Sequence, residues 1–282
     1  ELVWGILPPY NALPKKLEKN CLKALIASKP LEVMCTFEKE PRPISHFRRL
    51  PVGGSVGKLL NLQITISNSA SDNIVEGIAA NGNLNASEGI MSLYGAGVDV
   101  PRVSELLSAG LLGKSERRRI MPTKSSIVVV DMNVSNRLLS EVMKYPSTDS
   151  YEVYHSSYLD TIYVVLIMPG LWEHEQIKAV NLPGGWRFVS QRETAAEKPV
   201  FPGQIGGSYF PARLAVVEHL HEKHAQGKVL LFREVNDRGS IAAGAWQVRE
   251  SLRHAFEKGP ERCGRLKDAL EHALSKLRVP YE

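Results

Sequence analysis

Long hydrophobic runs are missing from this 282-residue chain. The longest uninterrupted one, Ile162 to Met168, has seven residues, against roughly 18 for a membrane-spanning helix. Cysteine is scarce as well. Cys21, Cys35 and Cys263 are odd in number, far apart and without a C-x-x-C pair, so neither a disulfide framework nor a zinc knuckle follows from them. The eight histidines form no H-E-x-x-H pattern. No internal repeat and no signal peptide is visible, and residue 1 is Glu rather than Met. These absences lead us to expect a soluble, cytoplasmic protein with no membrane partner, whose native start lies upstream of residue 1.

What is present is an ordinary globular composition, 43% hydrophobic, 23% charged and 7% aromatic. The net charge of +5 is unevenly distributed. Residues 1–58 carry +5, residues 59–113 carry −4, and the eleven residues 114–124 carry +4 around Arg117-Arg118-Arg119. Residues 125–200 then carry −3 and residues 201–282 carry +3. Two basic blocks flanking an acidic one suit a phosphate-bearing partner, and they equally suit solvated basic faces.

Punctuation by Pro and Gly organises the chain. A helix is expected at about 12–28, then an irregular arm over 36–58 and a strand at 60–66. Two short helices follow at 86–94 and 101–109, stopped by Gly95, Gly97 and Gly110. Ser126 to Asp131 reads as a buried strand followed by a helix at 133–144. Tyr151–His155 and Thr161–Met168 read as paired strands, and residues 181–207 as a long loop carrying a strand at 186–190. A helix at 209–225, a strand at 228–233 and helices at 244–257 and 262–278 close the chain. The expected fold is α/β (or α+β): a mixed sheet with flanking helices and an irregular N-terminal arm. An arm of residues 1–85 would pack on a core domain of residues 86–282.

Three groups of residues carry the candidate chemistry. Helical spacing puts Trp246, Arg249, Glu250 and Arg253 on one face, where a ring stacks and guanidiniums chelate a planar or phosphorylated group, or where Glu250 simply pairs an arginine. Arg233 and Glu234 end an apolar strand, where open sheets place ligands. Arg213 follows Gly206-Gly207-Ser208-Tyr209, a glycine pair that serves either as an anion seat or as a plain turn and cap. The basic block supplies Lys114, Arg117, Arg118, Arg119 and Lys124. These arginines contact phosphate or cap the preceding helix and pair with the acidic segment. Asp131, Glu173 and Glu175 are the acidic candidates for a general base or a Mg²⁺ site, although their spacing assigns no residue as a metal ligand.

Several strings taken together resemble the archaeal Nre family of DNA repair proteins. They are Leu93-Tyr94-Gly95-Ala96-Gly97-Val98-Asp99-Val100, Met121-Pro122-Thr123-Lys124-Ser125-Ser126-Ile127, and Pro169-Gly170-Leu171-Trp172-Glu173-His174-Glu175. Further on come Gly206-Gly207-Ser208-Tyr209-Phe210-Pro211-Ala212-Arg213, Arg233-Glu234 and Gly244-Ala245-Trp246-Gln247-Val248-Arg249-Glu250. The order holds across residues 90–255. The family pattern has Phe at the place of His174 and Pro-Thr-Arg-Trp-Ser where Pro122-Thr123-Lys124-Ser125-Ser126 stands. Many relatives carry an N-terminal zinc-binding segment and a C-terminal sliding-clamp-binding peptide. No zinc site is visible in this chain, and clamp binding would need termini that it does not contain.

The resemblance implies a role in DNA damage tolerance with DNA as the partner. Three readings stand side by side. One is a protein that binds DNA or a nucleotide through the basic block and an Arg/Trp-lined cleft. Another is a metal-assisted enzyme processing phosphodiesters or nucleotides, and the last a non-catalytic interaction module. On the first, Lys124, Arg213, Arg233, Arg249 and Glu250 are expected to converge on one cleft.

Overall fold

The computed structural model describes residues 20, 23, 25–27, 31–40, 42–43, 55–56, 59–66, 72–119, 121–196, 208–236, 245–279 and 281. It comprises two compact units, residues 1–133 and 134–282. The helix expected at 12–28 falls mostly outside the described residues, as do Cys21 and the pair Gly206-Gly207. Among the described residues, no helix is long and apolar enough to cross a membrane.

In the first unit, β1 (Glu32–Phe37) pairs antiparallel with β4 (Leu59–Ile66), and β2 (Arg42–Pro43) with β3 (Ser55–Val56). The arm thus contains two small ladders. Three short helices follow: α1 (Asn73–Ala80), α2 (Ala86–Gly95) and α3 (Val100–Ser108). Each starts on a side-chain cap, from Asp72, Asn85 and Asp99, and Asn85 with Glu88 forms a reciprocal capping box. The stops lie where Gly97 and Gly110 suggest. Both have positive φ, and the N–H groups of Val98 and Leu111 return to the carbonyls of Leu93 and Leu106. These are Schellman turns, which favour glycine because it enters the left-handed region without a Cβ clash.

The region 126–131 corrects the sequence expectation. Ser126 to Asp131 is helical, within α4 (Thr123–Val142). Its β-branched run suits a buried strand, but Ile127, Val130, Val134, Leu138 and Val142 are buried at helical spacing. A short apolar run does not distinguish a buried helix turn from a buried strand. Asp131 accordingly sits inside a helix, fully buried, and not at the end of a strand.

The second unit is built on a six-stranded mixed sheet, ordered β10-β5-β6-β9-β7-β8. The strands are β5 (Tyr151–Tyr158), β6 (Thr161–Met168), β7 (Glu173–Leu182), β8 (Gly185–Thr194), β9 (Lys228–Asn236) and β10 (Glu261–Cys263). All neighbours are antiparallel except β7 and β9. Helix α5 (Tyr209–Glu222) precedes β9, α6 (Ala245–Glu257) follows it, and α7 (Leu266–Ser275) comes after β10. This is the expected α/β arrangement, with 161–168 and 228–233 in one sheet. Strands β7 and β10 are the elements of this sheet that composition did not disclose, and the helix expected from residue 262 begins at Leu266.

The two sheet faces differ in chemistry. On one, Ala269 and Ala273 of α7 pack on Val153, Val164, Leu166 and Phe232. The other carries α5 and α6, and Ser156 of β5 donates to the carbonyl of Ser251 there at 2.7 Å. Gly227 lets the chain enter β9 close to its neighbour, since a Cβ would sit 2.8 Å from the Met168 carbonyl oxygen.

A buried carboxylate fastens the end of α5 to the sheet. Glu152 accepts from Tyr154 at 2.7 Å and from Arg262 at 3.3 Å, and forms an ion pair with Lys223. Burial pushes its pKa up, but Lys223, Tyr154 and Arg262 outweigh this and leave it below the usual carboxylate value. Its stabilisation is therefore complete above the ordinary glutamate range and declines as pH falls through the lowered folded-state value. Glu152→Gln is expected to cost about 2–3 kcal/mol near neutral pH. The variant should also lose stability less steeply than wild type below about pH 4.5, the ordinary value. Denaturant midpoints measured from pH 7 to pH 3 check both.

Candidate functional site

Strand alternation decides which side chains share the α5/α6 face. Register puts His174, Gln176 and Lys178 of β7 beside Val229, Leu231 and Arg233 of β9. Tyr163 of β6 lies opposite Arg233, and Glu193 of β8 opposite His174. Adjacent partners in a ladder point to the same side. The face is therefore apolar toward β6 and polar toward β7 and β8, the reverse of what a covered sheet usually presents.

Arg213, fully buried on α5, is the hub of that polar half. Its Nε donates to Glu193 at 2.6 Å, and its Nη1 donates to Ser135 Oγ at 2.8 Å and Asn136 Oδ1 at 2.6 Å. The guanidinium also lies 5.9 Å from the centre of the Phe210 ring. His174 stacks on Trp172, with ring centres 5.8 Å apart and planes at 16°, and meets Tyr209 at 5.2 Å. Burial, aided by the Arg213 charge, lowers the His174 pKa to about 3, so its ring is neutral at physiological pH. Burial and the Glu193 carboxylate push the Tyr209 hydroxyl upward, which keeps it protonated.

Arg233 is 6% exposed, and its guanidinium lies 5.8 Å from the centre of the Tyr163 ring. Among the described residues no carboxylate pairs with it. Glu234 points to the opposite face, where it accepts the backbone N–H groups of Arg278 and Val279 at 2.9 Å each. Arg249 of α6 is also buried and donates to Glu250 at 3.0 Å. Arg253 forks onto Glu218 at 2.7 and 2.9 Å and reaches Glu250 at 3.2 Å. Trp246 is half exposed. The stripe of Trp246, Arg249, Glu250 and Arg253 thus divides into an open ring, a buried arginine and a closed ion-pair network.

In the first unit the basic block divides in the same way. Arg118 donates to the carbonyls of Gly113 at 2.7 Å, Ala79 at 2.6 Å and Asn81 at 3.0 Å. It closes the C-terminal end of α1, where the helix dipole favours a cation. Lys114, Arg117, Arg119 and Lys124 are exposed, and among the described residues none of them has an ion-pair partner.

The acidic candidates stand apart. Asp131 lies in α4 of the first unit. Glu173 and Glu175 alternate with His174 and so leave the α5/α6 face. Glu173 pairs with Arg192 at 2.5 Å and Lys228 at 3.5 Å, while Glu175 accepts from Ser190 at 2.6 Å. Among the described residues, no group of three His, Cys, Asp or Glu side chains is placed to hold a metal ion. Ser208 caps α5 without a side-chain hydrogen bond.

Tyr163, Gln176 and Glu193 went unforeseen as members of this polar layer. The only available signal was the alternation of Glu173-His174-Glu175-Gln176, whose period of two fits a strand although both of its faces are polar.

The family described as Archaeal Nre, N-terminal, matches residues 9–186, and Archaeal Nre, C-terminal, matches residues 193–282. DNA repair protein NreA of Haloferax volcanii is 37% identical over 180 residues, 60% of this chain and 43% of the relative. DNA repair protein NreB of Archaeoglobus fulgidus is 29% identical over 248 residues, 86% of this chain and 63% of the relative. NreA of the same organism is 26% identical over 199 residues, 69% and 51% respectively. The chain therefore spans between 43% and 63% of the length of these relatives. No solved structure matches it. With the two family segments covering the chain almost end to end, this protein belongs to the archaeal Nre family.

Proposed function

We propose that this protein serves in archaeal DNA repair by binding DNA through phosphate contacts, with Lys114, Arg117, Arg119 and Lys124 as the contacting cations. The relatives' names supply the process. The observation that carries the reading is the division within the arginine triplet. Arg118 is committed to backbone carbonyls, while its two neighbours project into solvent with no ion-pair partner among the described residues. Cations that merely held the fold together would have such partners. Exposed cations this dense raise the local potential and attract a polyanion. On α6, the half-exposed ring of Trp246 is suited to stack on an unpaired base.

Each phosphate contact releases counterions, so log affinity for duplex DNA should fall with log salt by about 0.9 per contact, near −3.6 for four. Replacing Arg117 and Arg119 together by Ala is expected to flatten that slope by about 2 without lowering the melting temperature. Arg118→Ala should do the opposite, costing about 1–2 kcal/mol of stability through its three carbonyl bonds and changing the slope little. Titrations at several salt concentrations, alongside thermal melts, separate the two. An unchanged slope in the double variant would remove the basic block from the interface. Trp246→Ala should weaken single-stranded DNA binding by about 1–3 kcal/mol and leave the duplex slope as it is, which fluorescence anisotropy with both substrates tests.

A further inference from the structure

We propose that the outer edge of strand β8 pairs antiparallel with β8 of a second copy of this chain, across a two-fold axis at Val189. The pairing would join the two six-stranded sheets edge to edge. It concerns the second unit alone and does not rest on the DNA reading.

The two edges of the sheet are built differently. Strand β10 closes one edge with three residues, of which Glu261 and Arg262 are exposed charges. Shortness and charge are the usual protections of an unpaired strand. Strand β8 forms the other edge with ten residues, and among the described residues β7 is its only strand neighbour. It contains no proline, and its pairing with β7 runs from Glu173↔Thr194 to Leu182↔Gly185 without a bulge. In an antiparallel pair every second residue turns its N–H and C=O away from the partner. The outer side of β8 is therefore a long, regular ladder of hydrogen-bonding groups.

Both faces are open in the middle of this strand. Arg187, Phe188, Val189 and Ser190 are exposed in succession, although successive residues of a strand point to opposite faces. Phe188 is 52% exposed and Val189 55%. Two large apolar side chains in a row on a long edge make a template for another strand. Phe188 also leans edge-on against Tyr281, with ring centres 5.7 Å apart, so its exposed ring is held in place.

The side chains select a second copy as the occupant. Directly opposite residues point to the same face, so a two-fold axis through one residue pairs even positions with even and odd with odd. Arg187 and Arg192 therefore never stand opposite each other, which removes the repulsion that exposed arginines would otherwise bring to the pair. With the axis at Val189, Val189 meets its own copy, Phe188 meets Ser190, Arg187 meets Gln191 and Trp186 meets Arg192. The two copies of Phe188 lie on the diagonal, within reach of each other, and the Trp186 ring faces a guanidinium. An axis at Phe188 would set Val189 against Arg187. One at Ser190 would set Arg187 against Glu193, whose carboxylate Arg213 already holds. Of the three registers, the one at Val189 alone places an apolar residue against an apolar one and each arginine against a neutral polar or aromatic side chain.

Sedimentation equilibrium of the full chain tests the pairing, and wild type is expected to form a reversible dimer. Val189→Lys brings two ammonium groups together at the axis and should raise the dissociation constant by about tenfold or more. Its circular dichroism spectrum should stay that of wild type, because position 189 is exposed. Val189→Cys should cross-link under mild oxidation, since opposite residues of an antiparallel pair lie within disulfide reach. Mass spectrometry should then locate the bond at position 189 of both copies, with wild type and its three cysteines as the control. Gln191→Cys faces Arg187 in this register and should not link to its own copy. A monomeric wild type, a Val189→Lys chain that associates as tightly as wild type, or a Val189→Cys chain that fails to link would each overturn the proposal. A monomer that instead took up an extended peptide along β8 would overturn it too, by giving the edge a different occupant.

Discussion

A single guanidinium held out of water organises the second unit. Arg213 is buried completely, and a charge there is tolerated only when it meets an opposite charge and fixed acceptors. Glu193 from β8 and Ser135 and Asn136 from α4 supply them, so one side chain of α5 specifies the placement of two other elements. The fork is planar and its donors point in set directions. A slip of one residue in the pairing of β8 with β7 would turn Glu193 to the opposite face and leave Arg213 uncompensated. The register of an edge strand, where burial alone specifies little, is thereby fixed electrostatically.

That constraint joins parts of the chain that lie far apart in sequence. The N-terminal family segment ends at residue 186 and the C-terminal one begins at 193, both within β8. Strands β5, β6 and β7 come from the first, while β9 and β10 come from the second. In space β9 lies between β6 and β7. Neither segment completes the sheet alone, because removing β9 would separate β7 and β8 from the rest and expose two unpaired edges. The only parallel pair in the sheet, β7 with β9, requires a long crossover, which β8 and α5 provide. The same crossover brings Trp172, His174 and Gln176 to the face that carries Arg213 and Arg233.

Much of this architecture is legible in the amino-acid sequence, and the exceptions have identifiable causes. Strands β5, β6 and β9 declare themselves by apolar, β-branched runs, and α2 and α3 by their caps and glycine stops. Composition misassigns Ser126 to Asp131 because the first turns of α4 are buried on most sides, which erases the amphipathic period. Strand β7 is hidden for the opposite reason. Its inward positions are His174 and Gln176, so the usual contrast between apolar inside and polar outside is missing. Among the site residues, Arg213, Arg233 and Arg249 are all visible as charges in a mixed sheet's neighbourhood. That Arg253 belongs to a closed network with Glu218 is not visible, because its partner lies 35 positions away on another helix.

Charge in sequence is thus a poor guide to charge in use. Adjacent arginines at 117, 118 and 119 have the same formal charge, yet three backbone carbonyls claim the middle one. Arg249 and Arg253 lie one helical turn apart, one buried and one forked onto a neighbouring helix. Burial and the acceptors already present decide which cations remain available to a ligand. By that criterion the exposed cations of the first unit and Arg233 in the second are among those that remain available. The polar inward side of β7 follows the same logic with the sign removed. A sheet face that needed only stability would carry Val or Ile at positions 174 and 176, since buried polar atoms without partners weaken a fold. A stretch that sacrifices packing in this way is where function is expected to reside. In this chain it lies beside the one buried guanidinium that no carboxylate among the described residues neutralises.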